Sequence, residues 1–150
     1  MNIKDMKMIA HLRQDARMPL TKMSKKTHIP VSTLFDRLKA NEEGVIKRHT
    51  ALLDFTKLGY FTRANIVLKV AKEHRNALKE FLQINDSVNS VLRINNGYDF
   101  MVEGIFRQVL DMENFIENIE DKFNIEDKKS FFIIEDVKRE SFMSDPSLVF

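Results

Sequence analysis

Between Leu20 and Lys39 the chain reads LTKMSKKTHIPVSTLFDRLK, and no other stretch constrains its folding as tightly. Pro19 bars any helix before it from continuing, so a short helix starts afresh at Leu20. The chain must turn sharply at residues 27–30, where His28 tolerates a positive φ better than most non-glycine residues. A further helix then runs from about Val31 to Glu43 and stops at Gly44. Leu20, Met23, Ile29, Leu34 and Leu38 face inward on this reading, while Lys22, Lys25, Lys26, Arg37 and Lys39 stay outside. That is the pattern of a helix-turn-helix, whose second helix lies in the DNA major groove. The alternative is a pair of amphipathic helices with a basic face in an ordinary domain.

What flanks this stretch narrows the choice. Upstream, Ile3, Met6, Ile9 and Leu12 predict an amphipathic helix over residues 3–16. Downstream, VIKRHTALLD supplies two short β-prone pieces fit for the wing of a winged helix. Beyond Tyr60 the period changes. Ala64, Ile66, Leu68 and Val70 alternate with Arg63, Asn65, Val67 and Lys69, as in a strand with one apolar face. Leu78, Phe81 and Leu82 return to helical spacing. SVLRIN and FMVEGIF then flank Asn96-Gly97, a hairpin signal. Val109, Met112, Ile116, Ile119 and Phe123 mark another helix, and KSFFIIEDV a last strand. The order is β-α-β-β-α-β, the ferredoxin-like arrangement. The expected fold is therefore α+β, an N-terminal winged helix-turn-helix followed by a ferredoxin-like domain. The boundaries expected are 1–60 (with a linker over about 51–61), 62–138, and a loosely ordered tail over 139–150 that contains Asp145-Pro146.

Charge separates the same two parts. Residues 1–50 carry 11 Lys/Arg against 5 Asp/Glu, a balance of +6, whereas residues 51–150 carry 13 against 17, a balance of −4. A basic module on an acidic remainder is what one phosphate-binding domain in two would produce. A charge-interrupted N-terminus and the lack of a long apolar run predict no secretory signal and no membrane partner, and the absence of cysteine fits a reducing compartment. The expected location is cytoplasmic. His11, His28, His49 and His74 are scattered without metal-ligand spacing, and no phosphate loop or nucleophile motif occurs. No metal, cofactor or catalytic residue is therefore expected.

Several motifs resemble those of one family over nearly the whole chain. They are Asp15-Ala16-Arg17, Ser32-Thr33-Leu34 with Arg37-Leu38, Gly44-Val45-Ile46-Lys47 with Thr50-Ala51, Asp54 with Leu58-Gly59-Tyr60, and Tyr98-Asp99. In this order and spacing they are similar to the leucine-responsive regulatory (Lrp/AsnC, feast/famine) transcription factors. The stretch from Arg37 to Gly44 is one residue shorter than usual. Asn41 falls where a core leucine often stands, Pro30 where a capping serine is common, and Asn95-Asn96-Gly97 where a glycine-led loop is usual. The resemblance implies a homodimer, assembled into tetramers or octamers in some relatives, that binds double-stranded DNA. It also implies a small-molecule effector such as an amino acid, bound near the hairpin loop by Asn96, Gly97, Tyr98 and Asp99. There the loop would offer backbone N–H groups to a carboxylate, and Asp99 would meet an ammonium group. The alternative is that Asn-Gly makes a turn which Asp99 caps.

For DNA readout, the candidates are Ser32, Thr33, Phe35, Asp36 and Lys39, with Arg37 as the leading base or phosphate contact. Phe35, if exposed, could press on a thymine methyl; its alternative is packing at an edge. Ser32 and Thr33 have local capping as their alternative role, and Arg37 a salt bridge to Asp36, Glu42 or a neighbouring helix. Lys25, Lys26, Lys47 and Arg48 are candidate phosphate contacts, or members of a solvated face. The function expected is a sequence-specific DNA-binding regulator rather than an enzyme. Two rivals stand beside it: a siroheme-decarboxylase-like enzyme on the same scaffold, and an architectural DNA-binding protein of low specificity.

Overall fold

The computed structural model describes residues 1–149, which form two compact units. The first comprises residues 1–52 together with 136–149, and the second residues 53–135.

The first unit is built on three helices, α1 (Ile3–Gln14), α2 (Leu20–Thr27) and α3 (Val31–Glu42). Asn2 caps α1 by accepting from the Asp5 amide, whereas Pro19 and Pro30 precede α2 and α3 and supply no side-chain cap. His28 ends α2 in the left-handed region, with φ of 59°. This is the positive φ expected of the turn, and it lets the His28 amide close on the Ser24 carbonyl at 2.8 Å. Met8, Met23 and Leu34 are wholly buried, Met18 and Ile29 nearly so, and Leu12, Leu20 and Leu38 pack around them. The inward set expected of α2 and α3 is thus the observed one.

The phase of α1 differs from the apolar pattern. Ile3 is half exposed, while the carboxylate-bearing Asp5 and the imidazole of His11 are buried beside Met8 and Ile9. Residues 45–54 also depart from expectation. They form no paired strand, so the predicted wing hairpin is replaced by irregular chain. Val45, Leu52 and Leu53 of the expected wing lie exposed, with no ladder to bury them. The tail is ordered rather than loose. Arg13 Nε donates to the Phe142 carbonyl at 3.0 Å, and Arg13 pairs with Glu140 at 3.2 Å. A short 3-10 turn, Pro146–Leu148, follows Asp145, whose side chain accepts from the Ser147 amide.

The second unit has strands β1 (Thr62–Val70), β2 (Val88–Arg93), β3 (Phe100–Phe106) and β4 (Ile125–Phe132), with helices α4 (Arg75–Ile84) and α5 (Val109–Lys122). The order β2-β3-β1-β4 is antiparallel throughout and gives the expected βαββαβ arrangement. Ala64, Ile66, Leu68 and Val70 meet Phe100, Val102 and Phe106 beneath Leu78, Leu82, Met112, Phe115, Ile116 and Ile119. The last strand begins earlier than its apolar run suggested. β4 pairs with β1 from Ile125 to Phe132, so Ile134 and Val137 lie beyond it and are exposed. As an edge strand it needs no alternating apolar face.

Candidate nucleic-acid interface and ligand cleft

The outer side of α3 is set by which residues the core takes. Leu34 is buried and Leu38 half-buried, which turns Val31, Phe35 and Lys39 outward at i, i+4 spacing with Ser32 and Asp36 beside them. Phe35 is 59% exposed, so it is not packed at an edge. Thr33 is half-buried. Lys25 and Lys26 lie exposed in the last turn of α2, and Lys47 and Arg48 on the irregular segment after α3. Arg48 lines a cleft of about 530 Å³ with Arg13, Arg17, Leu12 and Leu52, on the α1 side of the unit.

Arg37 takes the salt-bridge course. Its Nε donates to Asp5 Oδ1 at 2.7 Å and its Nη2 to Oδ2, a two-point pairing with the neighbouring helix α1. The guanidinium expected to lead DNA contact is thereby held on the acid of α1. Asn41 completes the cluster, donating to Asp5 Oδ1 at 3.0 Å and to the Arg37 carbonyl at 2.8 Å. This explains an asparagine where a core leucine was expected, since a buried carboxylate needs donors more than it needs an apolar neighbour. The Arg37 and Asn41 hydrogen bonds hold the Asp5 carboxyl below its ordinary pKa, against the opposing effect of burial. Sequence reasoning missed Asp5. The available signal was Asn41, an unexplained polar residue on the inward side of α3. His11 is pushed the other way from charge: burial, aided by Lys26, lowers its pKa and keeps the imidazole neutral.

In the second unit, the β2–β3 turn carries Asn96 at φ 62° and Gly97 at φ 86°, as a tight hairpin requires. Tyr98 donates to Asp127 at 3.1 Å and lies under the Lys129 ammonium. Asp99 does not offer the free carboxylate expected for an ammonium group. It is buried, its Oδ2 accepts from the Val70 amide at 2.9 Å, and its Oδ1 accepts from Arg75 Nε at 3.0 Å. Arg93 approaches the same oxygen at 3.5 Å. The loop borders an open cleft of about 550 Å³ that includes Lys69, Lys72, Arg75, Arg93, Gly97 and Tyr98. Among the described residues, no cluster of three or more His, Asp or Glu side chains could hold a metal ion, and no helix is long and apolar enough to cross a membrane.

The chain thus joins a small helical unit with an open, lysine-flanked helix face to a βαββαβ unit with a cleft of ligand size. The model of the Lrp/AsnC ligand binding domain matches residues 63–142. The HTH-type transcriptional regulator FL11 of Pyrococcus horikoshii is 32% identical over 77% of this chain and 77% of its own length. An uncharacterised HTH-type transcriptional regulator of Pyrococcus furiosus is 29% identical and aligns over 95% of this chain and 96% of its own. The fold matches that of a Neisseria meningitidis transcriptional regulator solved with L-Met, at a TM-score of 0.85, 20% identity and 93% coverage of both chains. The chain belongs to the Lrp/AsnC family of transcriptional regulators.

Proposed function

We propose that the protein is a sequence-specific DNA-binding regulator in which α2 and α3 form the helix-turn-helix and α3 reads the major groove. The observation that carries this is the outer side of α3, where Val31, Ser32, Phe35, Asp36 and Lys39 lie exposed while Arg37 is tied inward. Ser32, Phe35, Asp36 and Lys39 are assigned to base edges, and Lys25, Lys26 and Lys47 to phosphates. Arg37 and Asn41 fix the seating of α3 on α1 and act on DNA through that seating. The irregular segment 45–54 serves in place of a hydrogen-bonded wing.

The uncovered face of the sheet, with Leu92 and Phe131 more than half exposed, supports pairing with a second copy. A dimer presents two α3 helices to half-sites about one helical turn apart, or a multiple of it. A small molecule of amino-acid size, held at the β2–β3 cleft, adjusts that spacing by favouring one oligomer geometry. The test is a footprint on the protein's own promoter beside binding to a scrambled duplex at fixed salt. A protected site and preference for promoter DNA are expected. Equal affinity for both duplexes supports the architectural rival instead, because phosphate attraction barely discriminates sequence.

A further inference from the structure

The β2–β3 cleft has the wrong charge for a neutral amino acid. A zwitterion brings one carboxylate and one ammonium group, and the ammonium needs an acceptor with free capacity. Neither carboxylate of the cleft is unpaired. Asp99 is buried and already accepts from the Val70 amide and Arg75. Glu126 pairs with Lys69 at 3.7 Å. The cations are in excess. Lys69, Lys72, Arg75 and Arg93 face Asp99 and Glu126, which leaves a surplus of two positive charges. Lys72 is exposed and has no carboxylate within ion-pair distance among the described residues. Arg93 is half exposed and touches Asp99 through one nitrogen at 3.5 Å, so most of its donors remain open.

We infer that this cleft takes a small molecule with two negative charges, a dicarboxylate or a phosphate compound, rather than a neutral amino acid. Lys72 and Arg93 hold the charge that the internal pairs leave over, and Arg75 bridges the ligand to Asp99. The inference rests on the reading of the cleft as the effector site, and it sharpens that reading to a chemical class. It also assigns Asp99 a different role: the carboxylate orients Arg75 and Arg93 toward the cleft instead of binding the ligand.

Calorimetric titration of the full-length protein at one fixed ionic strength tests this, with 2-oxoglutarate, inorganic phosphate and L-methionine as probes. At least one dianion should bind about tenfold or more tightly than methionine, and which one distinguishes a dicarboxylate from a phosphate site. Lys72→Gln and Arg93→Gln should each weaken that binding about tenfold. Lys79→Gln, on the exposed side of α4 outside the cleft, should leave it unchanged. Methionine binding as tightly as both dianions overturns the inference. So does dianion binding that ignores both Lys72→Gln and Arg93→Gln, and so does a folded protein that binds neither dianion. A promoter mobility shift run in parallel separates the two readings. A shift without dianion binding removes the inference alone, and dianion binding without a shift upholds it while removing the regulator reading.

Discussion

Replacing Asp5 with asparagine tests how the recognition helix is held. The change keeps shape and one acceptor, but it puts an amide NH₂ where Arg37 Nη2 now donates to a carboxylate oxygen. One charge-assisted hydrogen bond becomes a donor facing a donor. Of the other two, the Arg37 Nε bond to Oδ1 keeps only the charge of its donor, and the Asn41 Nδ2 bond becomes one between neutral groups. Breaking a fully buried pair costs about 3–5 kcal/mol, but here the guanidinium retains roughly a third of its surface in water and can rehydrate. The remaining penalty falls on the buried oxygen site and comes to about 2 kcal/mol, or roughly a thirtyfold change in the opening equilibrium. Amide hydrogen exchange of α1 and α3 reads that equilibrium directly. The pH dependence supplies a second check. Because the folded-state pKa of Asp5 is lowered from 3.8, its stabilisation is complete above that value. It drains away as the pH falls through the depressed folded value. His11, whose pKa is lowered from 6.5, also costs stability on acidification, but it does so in both proteins and cancels in the difference. The gap between wild type and Asp5→Asn should therefore be full at pH 7 and shrink progressively as the pH falls below 3.8. An unchanged exchange rate at pH 7, or a gap that does not shrink on acidification below pH 3.8, refutes the seating role of this cluster.

Other outcomes follow from single side chains. Leu34→Ala empties a fully buried site in the three-helix core and should cost the first unit about 2–5 kcal/mol in urea unfolding. His28→Val places a β-branched residue at φ 59° and should destabilise the same unit by about 1–2 kcal/mol, whereas His28→Gly should be tolerated. Gly104→Ala would set a Cβ 2.5 Å from the Phe106 ring, which is packed against Phe115, so thermal melting of the second unit should shift down by the equivalent of about 1–3 kcal/mol. Phe35→Ala should leave stability unchanged yet reduce promoter affinity, with the loss confined to duplexes that keep thymine methyls at the contacted step; uracil-substituted promoter DNA should bind both proteins alike.

The parts legible in the sequence were those governed by periodicity and by turn chemistry. Met23, Ile29 and Leu34 lie inward, and His28 and Gly97 take positive φ, because apolar spacing and local sterics suffice to place them. Reading failed where a distant partner decides. Asp5 and His11 sit on the buried side of α1, which no apolar count predicts, because α3 brings Arg37 and Asn41 to the carboxylate. β4 starts earlier than the apolar run suggests because Ile133 and Ile134, which lie past its end, outweigh the polar residues that pair with β1. The wing failed for a related reason. Val45 and Ile46 have strand propensity, but a strand also requires a ladder partner, and among the described residues this segment has none. The hairpin motif was located correctly, and its chemistry was not, since the ion pairs of Asp99 come from residues outside the motif.

The first unit is discontinuous in sequence, and this has a consequence for how the chain is made. Domains generally fold in order as they leave the ribosome, the N-terminal one first. Here Met8, Met23 and Leu34 can gather early, yet Glu140 and the Phe142 carbonyl, which receive Arg13, are synthesised only after the whole second unit. The first part to emerge is therefore the last to be completed. A chain that stops short of residue 136 contains α1, α2 and α3 and still lacks the closing segment of that unit.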